Sequence, residues 1–273
     1  MVLLQFLPHT SFAQKDIGKM IDKLFSSYVD SGFSGSVLVA EKNKVTLKKG
    51  YGYADNAKKT ANTPATLFNV ASIGKQFTAY AILLLEKRGL LSTGDQLYKY
   101  IGAFNDIRDS ATIHHLLLHV SGLFKEGANL DYNTRKGFIQ SVKDSAMESK
   151  PGERYRYSNA GYSMLAAVVE IVSKQPFENF LLENVFKPCQ MNSTGYLWEQ
   201  RLSDKHFATG YDKNKQPVQP QVDFWATRGP GHQVTTMEDL YKWITNLQDP
   251  GFMALDMESK MFYDHNPGKE SYS

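Results

Sequence analysis

The sequence predicts an α+β fold, on three observations. Residues 35–40 and 45–51 are short, strand-like runs rich in valine, leucine and tyrosine, joined by the polar Glu41-Lys42-Asn43-Lys44; that is the pattern of an antiparallel hairpin. Residues 73–88 and 161–173 are proline-free and apolar on most sides, the mark of helices buried in a domain. Strand signals gather near the N-terminus while helical spacing dominates from about residue 66 to residue 247, so one sheet and one mainly helical lobe are expected.

Taken in order, residues 15–28 carry apolar side chains at helical spacing (Ile17, Met20, Ile21, Leu24, Phe25), and the hairpin follows. Ser72 opens the first long helix and Gly89 closes it. Pro151-Gly152-Glu153-Arg154 is a turn signal ahead of the second, and loops are expected at 123–131 and 211–225. Repeats, linkers and low-complexity tracts are absent from the sequence.

The most informative residues are Ser72-Ile73-Gly74-Lys75 and, further along, Tyr157-Ser158-Asn159. A serine and a lysine three apart share a helix face, so the amine reaches the hydroxyl. A tyrosine and an asparagine two apart in an extended turn point the same way and close a site from the other side. Nucleophile, base and orienting amide together make a serine acyl-transfer set. Each residue also has a plainer role: Ser72 as a helix N-cap, Lys75 as a solvated side chain, Ser158 or Asn159 as the cap of the second helix. A cap explains the asparagine but not the tyrosine. A lysine in the first turn of a buried helix opposes the macrodipole, and burial and dipole both depress its pKa.

These residues carry a family resemblance. The stretches 35–40 (GSVLVA), 71–78 (ASIGKQFT), 115–123 (HLLLHVSGL), 151–162 (PGERYRYSNAGY) and 229–240 (GPGHQVTTMEDL) resemble, in order and spacing, the serine β-lactamase and penicillin-binding protein superfamily. The branch is that of class C β-lactamases, D-alanyl-D-alanine peptidases and esterases, and the resemblance spans about residues 35–247. It implies a β-lactamase/transpeptidase-like fold, an antiparallel sheet packed with helices beside the helical lobe. It further implies that Ser72 is the acylated nucleophile, Lys75 its proton partner, Tyr157 the general base and Asn159 a substrate-holding side chain, with no cofactor and no metal.

One departure stands out. The family's third motif, Lys-Thr-Gly or His-x-Gly on a strand bordering the site, has no counterpart in residues 253–273; His265-Asn266-Pro267-Gly268-Lys269 has the residue types in another arrangement. The sequence is therefore expected to be a single domain over residues 14–273, truncated at its C-terminus with an incomplete sheet. Half of the oxyanion hole would then be missing, which costs about a hundred- to a thousandfold in rate.

Composition narrows the remaining classes. The 273 residues carry a net charge of +3, with lysines scattered rather than blocked, which argues against a nucleic-acid partner. Cys189 is the single cysteine, so no internal disulfide forms. No apolar run reaches membrane-spanning length. Val2 to Leu7 is apolar and Ser11-Phe12-Ala13 has the small residues a signal peptidase reads, so residues 1–13 are expected to be a signal-peptide remnant of a periplasmic or secreted protein.

Further constellations have two readings. His115 and His119 have the spacing of a two-histidine zinc site, but no glutamate follows His115, and a helix end leading into a turn is the favoured reading. Tyr196, Trp198, Phe224 and Trp225 line a substrate rim or pin long loops, pinning being favoured. His232 stands where the family has glycine, facing the site or filling space. The sequence thus predicts a serine hydrolase acting through an acyl-enzyme on a β-lactam, a D-alanyl peptide of peptidoglycan or a small ester. The alternatives are a non-catalytic relative that binds peptidoglycan or a partner in the same cleft, and an inactive fragment.

Overall fold

A computed structural model describes residues 11–123, 130–218 and 223–262. The chain divides into two compact units. Of the described residues, one unit comprises 11–68 with 204–218 and 235–245; the other comprises 69–123, 130–203, 223–234 and 246–262.

The first unit is built on helix α1 (Ser11–Val29) and the hairpin of β1 (Gly35–Glu41) and β2 (Lys44–Tyr51), paired antiparallel with a register shift between Val39 and Ala40. Lys42 and Asn43 sit at φ 49° and 61°, the left-handed pair that a two-residue hairpin turn of matching twist requires. Helix α1 lies along β2: Asp22 accepts from Lys49 Nζ and from the Tyr51 hydroxyl, both at 2.8 Å. Phe25 packs its ring against Phe33 and Tyr51 at 5.0 and 5.7 Å. A second two-stranded pair, β3 (Tyr53–Asp55) with β4 (Thr60–Ala61), follows.

After β5 (Phe68–Asn69), the second unit is mainly helical: α2 (Gly74–Lys87), α3 (Tyr98–Ile101), α4 (Ile113–Leu117), α5 (Arg135–Asp144), α6 (Asn159–Ser173) and α7 (Phe177–Leu181). A π turn, Leu182–Phe186, continues α7. Strands β6 (Gly195–Tyr196) and β7 (Gln233–Thr235) pair antiparallel; α8 (Met237–Leu247) belongs mostly to the first unit, and α9 (Leu255–Phe262) is the last described element of the second. Helices α2 and α6 pack on each other and bury Phe77, Ile82, Leu85, Leu165, Val168 and Val169 completely. Each such aliphatic or aromatic side chain contributes about 1.5–3 kcal/mol of transfer free energy. Phe77 meets Phe186 edge-on at 5.2 Å.

The structure departs from the sequence reading in three places. Helix α1 begins before residue 15, at Ser11, so residues 11–13 of the expected signal remnant are helical; residues 1–10 lie outside the described residues. The region 66–247 is mainly helical, as its spacing predicts, and the strands β5, β6 and β7 within it are too short, at two or three residues, for periodicity to reveal. Asn159 is the first residue of α6 rather than part of an extended turn, and Ser158 is the cap, its side chain accepting from Gly161 N. Ser72 does not cap α2: it lies in a 3₁₀ turn, Ala71–Ile73, and the helix follows with no side-chain cap. The histidine-containing segment 265–269 lies outside the described residues.

Candidate active site

The second unit brings Ser72, Lys75, Tyr157 and Asn159 together. The 3₁₀ turn before α2 releases the Ser72 side chain from capping. Its Oγ accepts from the Tyr157 hydroxyl at 2.6 Å and from Lys75 Nζ at 3.2 Å. Lys75, in the first turn of α2, is only 5% exposed. Its ammonium also donates to Asn159 Oδ1 at 2.7 Å and to the Pro230 carbonyl at 2.8 Å. All three acceptors are neutral dipoles. With no carboxylate among them, burial dominates and pulls the lysine below its ordinary pKa, partly offset by Tyr157. The Lys75 ammonium lies 4.8 Å from the Tyr157 ring centre and 5.4 Å from that of Tyr162.

The floor is the segment 229–233, held on α2 by close backbone approach. Thr78 Oγ1 donates to the Gly229 carbonyl at 2.6 Å, and Val70 N donates to the Gln233 carbonyl at 3.0 Å. A Cβ on Gly231 would stand 2.5 Å from the Ala71 carbonyl oxygen, and one on Gly74 would stand 2.9 Å from Gly231 Cα, so glycine is required on both sides of this contact.

Backbone strain concentrates here. Among the described residues, the non-glycine positions at positive φ are mostly polar turn residues, but Ala71 (45°), His119 (59°) and His232 (66°) surround Ser72 and its partners. An alanine there has no side-chain hydrogen bond to offset a cost of roughly 1–2 kcal/mol. Such strain is characteristic of functional sites.

A cavity of about 300 Å³ opens on Ser72 and is lined by Tyr132, Asn159, Thr227, Pro230 and His232 among others. His232 therefore faces the cleft. Burial and the nearby Lys75 charge lower its pKa, and its Nδ1 is buried without a hydrogen-bond partner. A larger groove of about 750 Å³ runs along Arg135, Glu170, Lys174 and Arg228. It includes none of the four site residues.

The remaining candidates have structural partners. His115 Nδ1 accepts the Thr112 N–H in a capping box at the start of α4, and His119 Nδ1 accepts the Ser158 N–H at 3.0 Å. Tyr196 is fully buried, donates to the Arg228 carbonyl at 2.7 Å and stacks on Trp198 at 4.9 Å. Trp225 Nε1 donates to Glu170 at 3.2 Å. These rings pin loops, and Phe224 is partly exposed. The Pro230 carbonyl is the site group that sequence reasoning missed. A backbone acceptor leaves no mark on residue type.

The model of the family described as Beta-lactamase matches residues 21–267. The chain belongs to the Beta-lactamase family. Within it, Protein flp of Staphylococcus aureus (strain N315) is 32% identical over 243 residues, covering 84% of this chain and 48% of that protein. The chain spans about half the length of the curated relatives it matches. The crystal structure of FmtA from Staphylococcus aureus superposes with a TM-score of 0.81 at 25% identity, covering 99% of this chain and 75% of that one. The octameric penicillin-binding protein homologue from Pyrococcus abyssi gives 0.77 at 28% identity, covering 91% and 60%. The β-lactamase/transpeptidase-like fold is thus common to this chain and its neighbours. No helix among the described residues is long and apolar enough to cross a membrane.

Proposed function

We propose that this Beta-lactamase family chain is a serine hydrolase working through an acyl-enzyme on Ser72. The observation that carries the reading is the double contact at Ser72 Oγ, with the Tyr157 hydroxyl at 2.6 Å and Lys75 Nζ at 3.2 Å. Removing the Ser72 proton needs an acceptor within hydrogen-bond reach, and two are present. Burial lowers the Lys75 pKa towards the neutral amine. Lys75 Nζ lies 4.8 Å from the Tyr157 ring centre, close enough for the two groups to act as a pair. In this mechanism Tyr157, coupled to Lys75, takes the proton as Ser72 attacks an acyl carbonyl, and then hands it to the leaving nitrogen or oxygen. Water, deprotonated by the same pair, releases the acid and restores Ser72. Asn159, tied to Lys75 through Oδ1, orients both the amine and the substrate.

The substrate class is a D-alanyl peptide, a β-lactam or a small ester. The presence of a penicillin-binding protein homologue among the neighbours supports the first two. A periplasmic or secreted location suits such substrates.

The test is labelling with a fluorophosphonate and a fluorescent penicillin, followed by peptide mapping. A single adduct on Ser72 is expected, lost in Ser72→Ala and slowed roughly a hundredfold in Tyr157→Phe. Full labelling of Ser72→Ala overturns the assignment. Binding of peptidoglycan fragments with no adduct on Ser72 turns the reading towards a non-catalytic cleft.

A further inference from the structure

His119 lies outside the set that contacts Ser72, yet it holds the Tyr157 segment from three directions. Its carbonyl accepts the Arg156 N–H at 2.7 Å. Its ring Nδ1 accepts the Ser158 N–H at 3.0 Å. Between these two anchors its ring lies against the Tyr157 ring, centres 4.6 Å apart and planes inclined at 31°, and against Tyr162 at 5.0 Å on the same helix that carries Asn159. Residues 156, 157 and 158 are thus each fixed by one histidine.

The chain pays for this arrangement locally. His119 adopts φ 59° just beyond the end of α4 while only 6% exposed. The left-handed turn carries its carbonyl and its ring to the same segment. The Nδ1 bond also sets the proton inventory: a nitrogen that accepts a backbone N–H carries no proton of its own, so a proton on the neutral ring resides on Nε2. A leucine or phenylalanine of similar bulk would fill the space but leave the Ser158 N–H unpaired.

We propose that His119 is a positioning residue that holds the Tyr157 hydroxyl on Ser72, through its ring nitrogen and ring face. This rests on the roles of Ser72 and Tyr157 proposed above. The reason for so firm a hold is the exposure of Tyr157, 42% open to solvent. A phenol with that freedom samples other rotamers unless its backbone and one ring face are fixed. Misplacing a reacting group by about 1 Å costs on the order of a hundredfold in rate.

Two substitutions separate positioning from packing. His119→Ala removes ring and acceptor. His119→Asn keeps an acceptor oxygen where Nδ1 stood, and asparagine tolerates positive φ. With fluorophosphonate acylation of Ser72 measured well below each variant's melting temperature, His119→Ala is expected to be slower by ten- to a hundredfold, with His119→Asn recovering most of the loss. In a Tyr157→Phe background the same His119→Ala change should alter the rate less than about twofold, because the group it positions is gone. Equal losses in both backgrounds, or a wild-type rate in His119→Ala, overturn the proposal. A second readout does not depend on acylation. Ring signals of ¹³C-labelled Tyr157 should show one ordered environment in the wild type and His119→Asn, and averaged rotamers in His119→Ala. Unchanged signals in His119→Ala overturn the proposal even if Ser72 proves not to be a nucleophile.

Discussion

Lys75 and Glu170 are buried to nearly the same depth, 5% and 8% exposed, and the second unit treats them in opposite ways. Glu170 has a counter-charge and matched donors. Arg135 Nη1 lies 3.1 Å from its Oε2, the Phe177 N–H donates at 3.0 Å and the Trp225 indole at 3.2 Å. Lys75 has only a hydroxyl, a side-chain amide and a backbone carbonyl. Through its bonds Glu170 ties α5, α7 and the Trp225 turn to α6. A buried charge among neutral dipoles is pushed towards losing its proton. The difference lies in the company of the group rather than its depth, and under the function proposed above it separates a structural site from a reactive one.

The comparison breaks most sharply at Lys75→Met, which replaces the amine by an apolar chain of similar length. Acylation of Ser72 is expected to fall by roughly a hundred- to ten-thousandfold, while the melting temperature changes little, since apolar replacement of a buried charge is often close to neutral. The pH dependence carries a sign. Because Lys75 is lowered from its ordinary 10.5, the unfolded chain holds more protons than the folded one between the lowered value and 10.5. Stability from this group therefore rises with pH across that window. Lys75→Met removes that rise, so wild type should gain on the variant as pH increases in thermal melts. A gap that widens against the wild type with rising pH would show that Lys75 is not depressed.

Glu170→Ala should do the reverse. It leaves the buried Phe177 and Trp225 donors unpaired, at about 1–3 kcal/mol each, while the half-exposed Arg135 returns to water at little cost. Chemical denaturation should show the loss, and the acylation rate of the folded fraction should stay near wild type. A selective loss of acylation with unchanged stability would erase the distinction between the two sites.

The smallest effect is expected at His232→Gly. Glycine relieves the φ of 66° and removes a buried Nδ1 without a partner. A stability gain of up to about 1 kcal/mol is expected, together with a changed preference among acyl donors, because the imidazole lines the cavity at Ser72. Lower stability with unchanged preference would make His232 a packing residue.

Much of the molecule is legible in the chain itself. The strand-like runs at 35–40 and 45–51 specify the hairpin of the first unit, and a turn rich in lysine and asparagine closes it. Apolar spacing locates α2 and α6 to within two residues at their starts, and the motifs around Ser72, Lys75, Tyr157 and Asn159 name the residues that meet. These are properties of neighbours along the chain, where period, propensity and capping act over a turn or two. The tertiary structure decided what those residues experience. Packing of α6 on α2 sets Tyr157 and Asn159 against Ser72 and Lys75. Docking of the 229–233 segment supplies the Pro230 carbonyl and shuts water away from the amine. The αL turn at His119, which the sequence reads as the end of a helix leading into a turn, places the histidine ring on Tyr157. Burial and hydrogen-bond company depend on residues far apart in the chain, so the environment that lowers the Lys75 pKa exists only once those segments have packed.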